Sequence, residues 1–156
     1  MEENELIQQL IPAVEQQLES PATPFVKDHF DALIEARRWD IYKDPFEDEA
    51  AFTSYLERTA GGLLFAVADA LGRVDRQVAM DAGYAAGLAS FFKAIPGLEE
   101  AKRIPLLDGR AEAISALAKD GLARLKAARK SKEKLHKSAC ISMWQVALIL
   151  QHAERD

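Results

Sequence analysis

The segment from residue 83 to residue 96 joins helical spacing with a run of small side chains, and it constrains the fold more than any other stretch. Gly83 and Gly87 lie four residues apart in it, among alanines and a serine. A glycine inside a helix costs about 1 kcal/mol relative to alanine, so this pair indicates that something must approach the backbone closely. We therefore predict a buried helix that forms either a tight helix crossing or the wall of a pocket.

The rest of the chain repeats apolar residues with helical spacing, and no stretch alternates as a strand would. The pattern predicts helices at about residues 3–18, 24–39, 48–71, 73–95, 110–129 and 132–153. Pro12 is expected to kink or split the first helix, Gly72 to end the third, and Pro96 with Gly97 to end the fourth. We therefore predict a single all-α domain of about six helices over residues 1–156.

The composition is that of a globular domain, with 49% apolar and 29% charged residues in 156. A net charge of −5 with both signs interleaved argues against a nucleic-acid partner. The single Cys140 can form no internal disulfide, and Cys and His residues lack zinc-ligand spacing. Neither a secretory signal nor a long apolar run is present, so we expect a cytoplasmic protein or one peripheral to a membrane.

Two overlapping Asp-x-x-x-Asp patterns join Asp40 to Asp44 and Asp44 to Asp48. On a helix, such a pair presents two carboxylates on one face and can hold Mg²⁺ against a diphosphate. Pro45 disfavours helix at this point, so we interpret the acids as loop and capping residues. The basic run from residue 124 to 137 is interpreted as a solvated helix face, with contact to anionic lipid or phosphate as the alternative.

Three segments follow one another in an order that matches a known family. In residues 30–40 an apolar helix leads to Asp40. Residues 55–64 are similar to the helix pattern Y-C-x-x-V-A-G-x-V-G, in which Tyr55, Ala60 and Gly61 match. Together with the segment that begins at Gly83, they resemble the second half of the squalene/phytoene synthase family of head-to-head isoprenoid synthases.

The third segment is similar to the family pattern G-x-A-x-Q-L-T-N-I-L-R-D-V-x-E-D, followed by R-x-Y-L-P. Three small or apolar residues match, Lys93 keeps the positive charge and Arg103 takes the place of the later arginine. The matching residues are Gly83, Ala85 and Leu88.

Several positions of these segments depart from the family pattern. Gly87 stands where the family has Gln, Ser90 where it has Asn, and Leu64 where it has Gly. Ala94 and Leu98 stand where the family has its two metal-binding aspartates. The departures at Ala94 and Leu98 therefore remove the family's metal ligands, whereas Leu64 would narrow a tunnel.

The resemblance implies a partial isoprenoid-synthase-like bundle and the position of a pocket. In the family, small residues border a prenyl tunnel, and two aspartate-rich motifs hold the Mg²⁺ that neutralises a diphosphate leaving group. Lys93 and Arg103 are the candidates for binding phosphate. The candidate pocket-lining residues are Tyr55, Thr59, Leu63, Gly83, Gly87, Ser90, Phe91 and Ala94.

With both aspartates of the second motif replaced, we expect no catalytic residue, no metal site and no cofactor, and a role in assembly, scaffolding or prenyl-lipid binding. The substitutions at Gly87, Ser90, Ala94 and Pro96 resemble the divergent branch that contains the mitochondrial complex I assembly factor with a phytoene-synthase-like domain. The alternative is a Mg²⁺-dependent prenyl transferase whose N-terminal half is missing from this chain. A third possibility is an accidental likeness of one helical bundle to another.

The resemblance also predicts partners. Without the family's N-terminal helices, apolar faces of the helices at 48–71 and 73–95 would be uncovered, which is unusual for a monomer. We therefore expect a homodimer or a partner protein over these faces, together with an isoprenoid or lipid ligand.

Overall fold

The fold is seen in a computed structural model that describes residues 24–42, 44–72, 74–131, 134 and 145–155. These residues contain helices and connecting loops and no strand, which confirms the all-α prediction for this part of the chain. The helices are α1 (Pro24–Arg37), α2 (Glu49–Leu56), α3 (Gly62–Ala70), α4 (Arg76–Glu100), α5 (Ala111–Lys130) and α6 (Val146–Arg155).

The helix predicted at 48–71 is interrupted by a π-helical turn, Glu57–Gly61, which joins α2 to α3. The carbonyl of Tyr55 is satisfied there by the hydroxyl of Thr59, at 2.6 Å. As predicted, the helix ends at Gly72, which has φ +86° and closes the last turn by donating to the Asp69 carbonyl. A single π turn of this kind leaves no clear mark in hydrophobic periodicity.

The predicted end of α4 at Pro96 is wrong, because the helix continues through Pro96 to Glu100. Proline removes one backbone donor from the helix. The carbonyl left without its helical partner is that of Phe92, four residues earlier. Pro96 is exposed, so water can reach this part of the helix. The start also differs slightly from the prediction, since Asp75 caps α4 by accepting from the Val78 amide at 3.1 Å.

Several predicted features lie outside the described residues. These are the helix at 3–18 with Pro12, most of the first half of the helix predicted at 132–153, and the side chain of Cys140. Within the described part, α1 and α5 agree with the predicted ranges to within two residues.

Helix α4 lies at the centre of the described bundle and contacts α2, the π turn, α3, α5 and α6. Its buried side includes Tyr84 and Leu88, which are almost fully excluded from solvent. On another side, a Cβ at Gly83 would lie 2.6 Å from Gly61 Cα, and one at Gly87 would lie 2.7 Å from Ala60 Cβ. Gly83 and Gly87 are therefore required by the crossing of α4 with the π turn.

Among the described residues, none of the helices is apolar over a length that would let it cross a bilayer.

Candidate functional site

A cavity of about 790 Å³ opens beside the glycine face of α4. Its walls are the end of α1 with the following turn, the α2–π–α3 helix, α4 and the start of α6. We call it the α4 groove. The described residues that line it are Arg37, Trp39, Asp40, Tyr55, Leu56, Thr59, Ala60, Leu63, Leu64, Val67, Gly83, Ala86, Gly87, Ala89, Ser90, Phe91, Lys93, Ala94, Leu98, Gln145, Val146 and Ile149.

The structure brings the eight candidate pocket residues to this groove, together with Lys93. The sequence raised two alternatives for this face, a tight helix crossing and the wall of a pocket. Gly83 and Gly87 take part in both, since they lie at the crossing and also border the cavity. The side chain that each would otherwise carry would collide with the neighbouring helix and narrow the space beside it.

Arg103, the second candidate for binding phosphate, is not among the lining residues. Its guanidinium donates to the carbonyls of Asp40 at 2.8 Å, Trp39 at 2.5 Å and Tyr42 at 2.6 Å. It also lies over the Trp39 ring, 3.9 Å from the ring centroid. These contacts connect the turn after α1 to the loop after α4. Arg103 therefore stabilises one end of the groove from outside the cavity.

The turn after α1 is held from its other side by aromatic residues. Trp39 stacks on Phe46, with ring centroids 4.3 Å apart and an interplanar angle of 8°. Phe91 of α4 and Tyr55 of α2 complete the cluster, 6.1 Å and 5.5 Å from the Trp39 ring. The cluster fixes where Asp40 can lie, because this residue directly follows Trp39.

Asp40 is the one acidic side chain among the described lining residues, and both of its carboxylate oxygens are engaged. Arg37 lies 3.0 Å from Oδ2, and the Tyr55 hydroxyl donates to Oδ1 at 2.9 Å. Burial, reinforced by the hydrogen bond to Asp40, raises the pKa of Tyr55 to about 12. Tyr55 therefore stays protonated at neutral pH and keeps donating to the carboxylate.

Ala94 and Leu98 also line the groove, and their apolar side chains offer no oxygen ligand. Among the described residues, no three His, Cys, Asp or Glu side chains form a cluster that could hold a metal ion. Mg²⁺ requires several oxygen ligands in near-octahedral geometry. The described wall of the groove offers one carboxylate, that of Asp40, toward such a set of ligands.

Sequence reasoning missed some of the lining residues. Gln145 and the first residues of α6, Val146 and Ile149, contribute to the wall. So do the last residue of α1, Arg37, and Trp39 in the turn that follows. An arginine three residues before Asp40 is a signal for an ion pair in a helical turn. The α6 residues carried only the apolar spacing of any amphipathic helix.

Comparison with known proteins assigns the family. The family model for squalene/phytoene synthase matches residues 3–108, which is more than half of the chain. Neither the curated proteins nor the solved structures include a significant match. With a match of this extent and an all-α fold, the chain belongs to the squalene/phytoene synthase family.

Proposed function

We propose that this protein is a squalene/phytoene synthase-like domain that binds an isoprenoid or another single-chain lipid in the α4 groove and does not itself transfer prenyl groups. One observation carries the proposal. The groove is large and mostly apolar, and its one described acidic side chain is already paired with Arg37. Cavities of several hundred cubic ångströms with few polar groups are typical of small-molecule sites.

Support for the lack of transfer chemistry comes from the groove wall. Ionisation of a prenyl diphosphate requires Mg²⁺ to stabilise the departing anion. Ala94 and Leu98 offer no oxygen ligands, and the carboxylate of Asp40 already accepts hydrogen bonds from Arg37 and Tyr55. The residues that remain are suited to holding an apolar chain.

We further propose an assembly or scaffold role, as in the divergent branch with the complex I assembly factor that the sequence resembles. Its support is an exposed apolar face on two helices in contact, α1 and α3. Outside the groove, Ile34 of α1 is 63% exposed and Leu71, directly after α3, is 42% exposed. Leu63 and Val67, which also line the groove, are each exposed by more than 40%. Exposed apolar side chains on neighbouring elements favour an interface with a second copy of the chain or with a partner protein.

The binding proposal is tested by calorimetric titration of the purified full chain with farnesol and with farnesyl diphosphate. Ala94→Phe places a large ring in the groove, whereas Ala123→Phe places the same ring on the exposed face of α5. We expect Ala94→Phe to weaken farnesol binding by about tenfold or more and Ala123→Phe to leave it unchanged. Equal binding by both variants, or no binding by the unmodified chain, would refute the proposal.

The transfer alternative is tested on the same protein. Farnesyl and geranylgeranyl diphosphate are incubated with and without Mg²⁺, and release of pyrophosphate and C30 or C40 products is measured. We expect no Mg²⁺-dependent product. Turnover by this chain alone would establish the prenyl transferase alternative in place of the binding role.

The assembly proposal is tested by sedimentation at micromolar concentration. Ile34→Lys with Leu71→Lys alters the proposed interface without touching the groove, and Ile104→Lys is a matched change at another exposed apolar residue. We expect only the double variant to lose the dimer or the co-purifying partner. A compact monomer in the unmodified protein, with no partner bound, would contradict the proposal.

A further inference from the structure

The two ends of the α4 groove differ in polarity. Helix α4 runs antiparallel to the α2–π–α3 helix, so the residues that border each end can be identified. Phe91 lies beside Tyr55, with ring centroids 6.3 Å apart, and Gly83 lies against Gly61. One end is therefore bordered by Tyr55 and its polar neighbours, whereas the other is bordered by apolar residues such as Val67. From Gly83 to Leu98, α4 spans roughly 22 Å at 1.5 Å per residue, so the groove suits an extended chain with one polar end.

Among the described residues at the polar end, one cation has no counter-charge. Arg37 and Asp40 form an ion pair, and Tyr55 occupies the second oxygen of Asp40. Lys93 is exposed and lines the groove, and no ion pair or hydrogen bond joins it to another described residue. Ser90 lies three residues earlier on α4, and its exposed hydroxyl likewise makes no hydrogen bond within the described part of the chain.

Residues three apart on a helix lie on the same face, so the Lys93 ammonium and the Ser90 hydroxyl can reach one ligand group. Together they provide one charge-assisted donor and one neutral donor. Hydrogen bonds of the first kind are about twice as strong as those between neutral groups. A neutral hydroxyl head would leave the ammonium without a counter-charge, whereas a Mg²⁺-diphosphate head would need carboxylates that this wall does not offer.

We propose that the α4 groove selects a chain ligand with a compact oxyanion head, a carboxylate or a phosphate monoester, which Lys93 and Ser90 hold without a metal ion. This inference rests on the proposed function, since it names the ligand class of the same groove. It makes Lys93 the residue that determines head-group preference and the apolar end the part that binds the chain.

The test is a calorimetric titration with ligands that share one C15 chain and differ in the head. Farnesol carries a neutral head, farnesoate a carboxylate, farnesyl monophosphate a phosphate monoester, and farnesyl diphosphate is used with and without Mg²⁺. We expect at least one of the two compact anions to bind about fivefold to tenfold more tightly than farnesol, and Mg²⁺ to give no gain for the diphosphate. The two anionic arms distinguish a carboxylate from a phosphate as the preferred head.

Lys93→Gln should bring the ratio of anion affinity to farnesol affinity to about one, whereas Lys119→Gln, at an exposed lysine of α5 outside the groove, should leave this ratio unchanged. Equal affinities for farnesol and both compact anions would overturn the inference while leaving the binding role intact. So would a Lys93→Gln variant that keeps the preference, or Mg²⁺-dependent tightening of the diphosphate. Failure of all four ligands to bind would remove the proposed function as well.

Discussion

Replacement of Gly83 by alanine tests the closest approach in the bundle. The added Cβ would lie 2.6 Å from Gly61 Cα and 2.7 Å from the Ala60 carbonyl oxygen. These are backbone atoms, so no flexible side chain can move aside. The two helices would have to separate by roughly 0.8 Å to reach ordinary contact at 3.4 Å.

Two opposing effects determine the size of the loss. Alanine gains up to about 1 kcal/mol over glycine in a helix, whereas overpacking of a tight crossing costs about 1–3 kcal/mol or more. Because backbone meets backbone here, we expect Gly83→Ala to lower the free energy of unfolding by about 2 kcal/mol. For a chain of this length, such a loss corresponds to a fall in Tm of roughly 4–8 °C.

A matched control lies in the same helix. A Cβ at Gly97 would meet no atom within 4 Å, so Gly97→Ala should raise the free energy of unfolding by about 0.4–1 kcal/mol. Urea unfolding followed by circular dichroism measures both variants. If Gly83→Ala is as stable as Gly97→Ala, the argument that the glycines are required by close helix crossing is wrong.

Three further predictions concern polar contacts within the described bundle. Arg103→Lys should lower the free energy of unfolding by about 2 kcal/mol, because one ammonium cannot replace a guanidinium that donates to three carbonyls. Urea unfolding measures the loss, and an unchanged midpoint would contradict the prediction. Burial raises the pKa of both Tyr55 and Tyr84 to about 12, so the native state binds more protons than the unfolded state above pH 10. Stability should therefore fall as the pH rises from about 10 to 12. In a Tyr42→Phe variant, which leaves Tyr55 and Tyr84 as the tyrosines of the chain, absorbance at 295 nm should show ionisation near pH 12, and ionisation of either near pH 10 would contradict the burial argument. Arg124→Lys removes the stacking on Tyr84 at 3.9 Å and weakens the contact with Glu57 at 2.8 Å. The free energy of unfolding should therefore fall by about 1 kcal/mol, and no change would mean that these contacts contribute nothing to stability.

The class of fold and its central helix could be predicted from the sequence. Helical spacing of apolar residues is a local property, and the need for two glycines four residues apart shows in the residues themselves. Gly72 could likewise be read as a helix end, because a positive φ at that position favours glycine.

Other features depend on contacts between segments far apart in the chain. Arg103 lies more than sixty residues from the carbonyls that it binds, so the sequence suggested a phosphate ligand where the fold supplies a support for the turn after α1. The π turn at Glu57–Gly61 and the passage of α4 through Pro96 are also set by packing and solvation.

The sequence by itself determined that this chain is helical, which face of α4 carries small side chains and which family the chain resembles. Apolar spacing and side-chain size are local properties that the residues give directly. Only the tertiary structure decided that these small residues border a groove and that Asp40 is held by Arg37 and Tyr55. It also decided that Lys93 remains without a counter-charge among the described residues. The physical reason is that charge compensation and cavity shape depend on which distant groups meet in space.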